Sequence, residues 1–238
     1  FLFGRSGLTK HTRERMDAVN RQVEALFQRD SAVEKGLEKE SRSAYLQSSY
    51  IDKWAGFPLY QNTQTKYYSC GEEMFPDMLE ALRGAKHFIF LEYFIIEEGY
   101  MFNTILDILE EKAKAGVDVR FIYDDVGSIN SISFGYYKKL QERGIPCVTF
   151  NPFKPLISVV MNNRDHRKIF VVDGYIGFTG GINLADEYIN KVKRFGYWKD
   201  TGVRIEGEAV WSLTAMFLEM WNYINRSTED YSRFLPSV

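Results

Sequence analysis

From residue 165 to residue 183 the chain reads DHRKIFVVDGYIGFTGGIN, with its polar residues gathered at the two ends of an apolar run. His166 and Lys168 stand two apart at the entrance to KIFVV, a stretch apolar at both parities and so suited to a strand covered on both faces. Side chains two apart on a strand share a face, which sends an imidazole and an ammonium together beyond the strand's amino end. Imidazole, with an ordinary pKa of roughly 6.5, is neutral near pH 7, attacks phosphorus and leaves it again easily. The pair therefore suits phosphodiester chemistry, with His166 taking the phosphoryl group covalently and Lys168 holding the nonbridging oxygens. Asp173-Gly174 marks a tight turn, which accounts for Asp173 structurally and makes support of that turn its expected part. The return strand over 175–179 runs into Gly180-Gly181, where two residues without Cβ let a ligand approach the backbone. Asn183 follows at the mouth of an expected helix and joins Lys168 and the glycine amides as a phosphate-binding group. That scheme needs neither a metal nor any other cofactor.

Other polar residues fit less well. Asp124-Asp125 ends an apolar run, but adjacent carboxylates on a strand point to opposite faces, so they are expected to shape the rim. Glu92 lies within an apolar strand and must be paired, either lining the site or binding Arg167. His11 and His87 have no evident partners.

The elements that would position these residues follow the βαβ manner. Strands are expected at 59–68 (as a pair turning near Asn62), 86–96, 117–123, 147–150, 168–172, 175–179 and 202–205. Helices are expected at 72–83, 100–114, 134–143 and 209–223, the first three stopped by Gly84, Gly116 and Gly144. Upstream, Met16, Val19, Val23, Leu26 and Phe27 recur at helical spacing within 9–29. The basic start of that helix, with Lys10, Arg13 and Arg15, suits an anionic lipid surface or water equally well. A polar stretch over 34–49 then separates an amphipathic arm, residues 1–49, from a catalytic domain, residues 50–238. Within 153–163, Leu156, Ile157, Val159, Val160 and Met161 lie between Lys154 and Arg164, and both a lipid-facing loop and a piece of core fit them.

The chain has 238 residues, 45% of them hydrophobic, and a formal net charge of −2. That balance argues against a protein that holds nucleic acid by overall basicity. Cys70 and Cys147 form no C-x-x-C or metal-ligand spacing and read as reduced thiols.

The pattern H-x-K-x4-D at His166, Lys168 and Asp173, followed by G-G-x-N at Gly180, Gly181 and Asn183, resembles the signature of the phospholipase D superfamily. The order of elements from about 57 to 225 is most similar to the amino-terminal catalytic half of bacterial cardiolipin synthases. The resemblance implies an α/β fold, a mixed sheet sandwiched between helices. It implies transfer of a phosphatidyl group between two phosphatidylglycerol molecules through a phosphohistidine, with Asp200 holding the second nitrogen of His166. Without it, Asp200 reads equally well as a surface carboxylate at a strand start. A second H-x-K-x4-D half from elsewhere is implied as partner, together with an anionic membrane surface on the cytoplasmic side of a bacterial cell. The resemblance also makes Phe1 to Gly4 readable as the end of a preceding membrane anchor, with an arbitrary fragment boundary as the alternative. The alternatives are a homodimeric phosphodiesterase or nuclease of the same superfamily and a non-catalytic half that scaffolds a partner.

Overall fold

The computed structural model describes residues 10–152 and 164–235, without the side chains of His11 and Thr12. The expectations for 153–163 and for the first residues lie outside the described part. Three helices come first: α1 (Lys10–Glu24), α2 (Ser31–Glu40) and α3 (Arg42–Ala55). There follow β1 (Thr63–Tyr68), α4 (Gly71–Gly84), β2 (Phe88–Tyr93), α5 (Tyr100–Lys114), β3 (Asp118–Asp124), α6 (Tyr137–Glu142) and β4 (Cys147–Phe150). The motif region supplies β5 (Ile169–Val172) and β6 (Ile176–Gly180), and β7 (Gly202–Gly207) leads into α7 (Val210–Asn225).

These strands make one seven-stranded mixed sheet in the order β1-β7-β6-β5-β2-β3-β4. The strands β2, β3 and β4 run parallel, and β5, β6, β7 and β1 continue the sheet by antiparallel pairing. Side-chain alternation splits the core in two. Ile89, Leu91, Phe170 and Phe178 pack towards α4 and α5, whereas Phe88, Phe90, Ile169 and Val171 pack against α7. Each buried aromatic of this size contributes on the order of 2 to 3 kcal/mol through burial. The mixed sheet between helices is the architecture the sequence implies.

Two differences have plain causes. Residues 59–61 form no strand, because Tyr60 packs with the α7-side cluster and its hydroxyl accepts a hydrogen bond from Ser212; β1 pairs instead with distant β7. The helix expected beyond Gly181 is a single 3-10 turn, Asp186–Ile189. Ile182, Leu184 and Ala185 are buried, and Leu184 bridges to Ile96, so that segment cannot wind. Position 49 falls inside α3, and Val23 of α1 is fully buried against α7. Arg15 of α1 donates to the Tyr223 carbonyl and stacks over the Tyr223 ring.

Candidate active site

Because β5 runs opposite to β2 and β6 runs back again, several chain segments arrive at one edge of the sheet. They are the carboxyl ends of β1, β2, β3, β4 and β6 and the amino ends of β5 and β7. The edge of parallel strands at their carboxyl ends is where open α/β sheets generally hold ligands. His166, Lys168, Gly180, Gly181, Asn183 and Asp200 all lie along it, as their places at the ends of β5, β6 and β7 dictate.

His166 is exposed, and among the described residues its ring packs on Phe94, with centroids 4.7 Å apart. Lys168 is buried at 3% exposure, and its ammonium donates to the His166 carbonyl at 2.7 Å while lying 5.3 Å from the Phe94 ring. The Phe94 ring thus has the imidazole and the ammonium both beside it. Burial pushes the Lys168 ammonium down to about 8, with Asp165 and Asp200 pulling it partly back up. Between that value and the ordinary 10.5 the unfolded chain holds a proton that the folded chain has shed, so Lys168 makes stability rise with pH across that window. If the ammonium binds substrate, the rate effect has the opposite sign. Turnover is expected to fall by roughly tenfold per unit above about pH 8, and Lys168→Arg is expected to move that limb out of range. A rate flat to pH 10 in the unaltered protein would remove Lys168 from phosphate binding.

The segment carrying His166 is clamped from both sides. Asp124, 1% exposed, accepts from the Asp165 amide at 3.0 Å, from Arg164 at 3.1 Å and from the amides of Val126 and Gly127. Arg167 turns the other way, binding Asp165 at 3.0 Å and coming within 2.8 Å of the Glu92 carboxylate. Burial pushes the Glu92 carboxyl well above its usual range, against the pull of Arg167. Of the two readings open for Glu92, pairing with Arg167 is the one realised. Arg167→Met is expected to cost about 3 kcal/mol of stability in urea titrations, because two buried carboxylates lose their shared cation. A loss below about 1 kcal/mol would mean that Glu92 and Asp165 share a proton without needing the guanidinium.

Asn183 is buried and accepts from the Ile95 amide at 3.0 Å while donating to the Tyr188 hydroxyl at 2.9 Å. It therefore ties the loop after β6 to the loop after β2, with one amide hydrogen left over among the described residues. The glycine pair also has a structural reason. A Cβ on Gly180, at φ 147°, would strike the Thr201 carbonyl, and one on Gly181 would strike the Asp200 carboxylate. Asp200 accepts from the Thr201 amide at 2.8 Å, and no hydrogen bond joins it to His166, although its charge reaches Lys168. Asp173 lies at the other end of β5, where it accepts from the amides of Lys86, His87 and Phe88 at 2.7–2.8 Å. It locks the β5–β6 turn onto β2. Among the described residues no three His, Cys, Asp or Glu side chains cluster as metal ligands, and no helix is long and apolar enough to cross a membrane.

Comparison with known proteins adds to this geometry. Residues 78–221 match the family described as "Cardiolipin synthase, PLD-like domain". A cardiolipin synthase of Alkalihalophilus pseudofirmus is 45% identical over 70% of this chain and 33% of its own length. One from Geobacillus sp. is 38% identical over 95% of this chain and 45% of its own length. An uncharacterized protein of Streptococcus mutans is 45% identical over 91% and 48%. The chain thus spans about half the length, or less, of these curated relatives. Among solved structures, NucT from Helicobacter pylori superposes with a TM-score of 0.53 at 12% identity, over 68% of this chain and 98% of that one. Phosphatidylserine synthase of Haemophilus influenzae gives 0.50 at 20%, over 74% and 40%. At those identities the likeness is one of fold.

Proposed function

From the premise that the chain belongs to the cardiolipin synthase family of phospholipase D-like domains, we propose that it is one half of a phosphatidyltransferase. The observation that carries this is the exposed His166 imidazole and the buried Lys168 ammonium meeting at the Phe94 ring on the ligand edge of the sheet, with the ammonium bonded to the His166 carbonyl. His166 attacks the phosphorus of one phosphatidylglycerol, the phosphorus–oxygen bond to the headgroup glycerol breaks, and glycerol leaves with a proton. A hydroxyl of a second phosphatidylglycerol then attacks the phosphohistidine, giving cardiolipin and free imidazole. Lys168 holds the nonbridging oxygens through both steps, with the leftover amide hydrogen of Asn183 and the backbone beside Gly180 and Gly181 assisting. The reading locates the domain at the cytoplasmic face of a bacterial membrane, with a second H-x-K-x4-D half as partner.

Incubation of the protein and its second half with phosphatidylglycerol vesicles tests the proposal. Equimolar cardiolipin and glycerol are expected, whereas phosphatidic acid alone would mean a hydrolase. Asp200 is the candidate for orienting His166, which requires the two to meet when substrate is bound. Asp200→Asn is then expected to lower kcat by about 10²-fold with the melting temperature unchanged. An unaltered kcat would limit Asp200 to supporting Gly181 and Thr201.

A further inference from the structure

The helix α3 buries no residue, yet it carries Leu46, Tyr50 and Trp54 in one row, 56%, 66% and 69% exposed. Their spacing of four makes the row a single ridge along the helix. Ile51, also over half exposed, widens it. The ridge is held firmly. Ser41 caps the start of α3, and Arg29 grips Asp52 near its end through both carboxylate oxygens and also reaches the Gly56 carbonyl. We infer that α3 is the surface by which this chain lies on an anionic phospholipid bilayer.

Charge is the first reason. Asp52 is the one acidic residue of α3, and Arg29 neutralises it, which leaves Arg42 and Lys53 with full positive charge at the two ends. Lys53 places its ammonium 5.4 Å from the Trp54 ring, so an amphipathic aromatic and a cation are presented together, as headgroup layers favour. Area is the second. Two aromatics and a leucine offer at most about 600 Å², below the roughly 800 Å² per partner of a stable protein interface. Insertion among headgroups needs no such area. Position is the third. Lys53 and Trp54 line, with Arg167, a cavity of about 420 Å³, and Arg167 is the residue that follows His166. The ridge therefore ends beside a cavity that is also lined by the residue next to His166 in the chain.

The inference draws its purpose from the phosphatidyltransferase reading, and its test does not depend on turnover. The 238-residue chain is sedimented with vesicles of phosphatidylglycerol and phosphatidylcholine, and with phosphatidylcholine alone. Salt-sensitive binding to the anionic vesicles is expected. The double variant Tyr50→Ser with Trp54→Ser is expected to bind roughly tenfold more weakly or worse, at an unchanged melting temperature. Brominated lipid is expected to quench the tryptophan emission of the unaltered chain and to quench Trp54→Phe markedly less. Undiminished binding by the double variant overturns the inference. So does a variant that loses an oligomer rather than vesicle affinity, or one that loses thermal stability, because either assigns the ridge to protein contacts. Docking through α3 without transfer by the reconstituted enzyme would overturn the proposed function alone. Transfer with docking indifferent to the ridge would overturn the inference alone.

Discussion

Phosphatidyl transfer by the reconstituted enzyme is expected to fall by about 10⁵-fold in His166→Ala, the scale on which enzymes lose rate when their nucleophile is removed. Among the described residues no neighbour is placed to take over. Lys168 is buried, donates to the His166 carbonyl, and below about pH 8 is protonated and so not nucleophilic. Asp200 lies against Gly181, and Glu92 is drawn away by Arg167. The substitution should leave the fold intact, because the exposed ring gives up one packing contact with Phe94. The direct measurement is acid-quenched trapping of radiolabelled phosphatidyl on the protein, strong in the unaltered chain and absent in the variant. Label persisting on His166→Ala would end the assignment.

The second large effect concerns the proton. Displacing an alkoxide from phosphorus requires an acid as the bond breaks, and the acceptor hydroxyl later requires a base. An imidazole already bonded to phosphorus supplies neither. His87 lies beyond the opposite end of β2, a strand of six residues and therefore about 20 Å away. A verified monomer of this chain is accordingly expected to turn over phosphatidylglycerol about 10⁴-fold more slowly than the same chain mixed with a polypeptide carrying a second H-x-K-x4-D segment. Comparable rates with and without that polypeptide would refute the two-histidine account and return attention to Lys168 as the acid.

Much of this was readable in the chain because local rules and the fold agree. Both-face apolarity marked β5, Gly116 stopped α5 where expected, and the Asp-Gly pair placed the turn that Asp173 secures. The residues that escaped are those whose role depends on distant partners. Asp124 looked like rim because its neighbour Asp125 blurs the pattern, whereas its carboxylate holds the amide of Asp165, forty-one positions on. Gly181 suggested room for a ligand, and the group that needs the room is the Asp200 side chain. Asn183 suggested phosphate, and most of its amide serves the Ile95 and Tyr188 contacts. In each case the residue type was informative, and its partner was invisible without the crossing of the loops after β2 and β6.

The pairing of β1 with β7 also matters for how the protein comes off the ribosome. Residues 63–68 have residues 202–207 as ladder partners, so β1 must wait for all the chain between them before it gains a neighbouring strand. The inner strands have no such delay, since β2 and β3 are separated by one helix and β5 and β6 by a tight turn. Chain emergence at roughly 5–20 residues per second leaves β1 unpaired for on the order of ten seconds, a long exposure for a bare strand edge. Its sequence TQTKYY is mostly polar, as that interval demands of a bare edge.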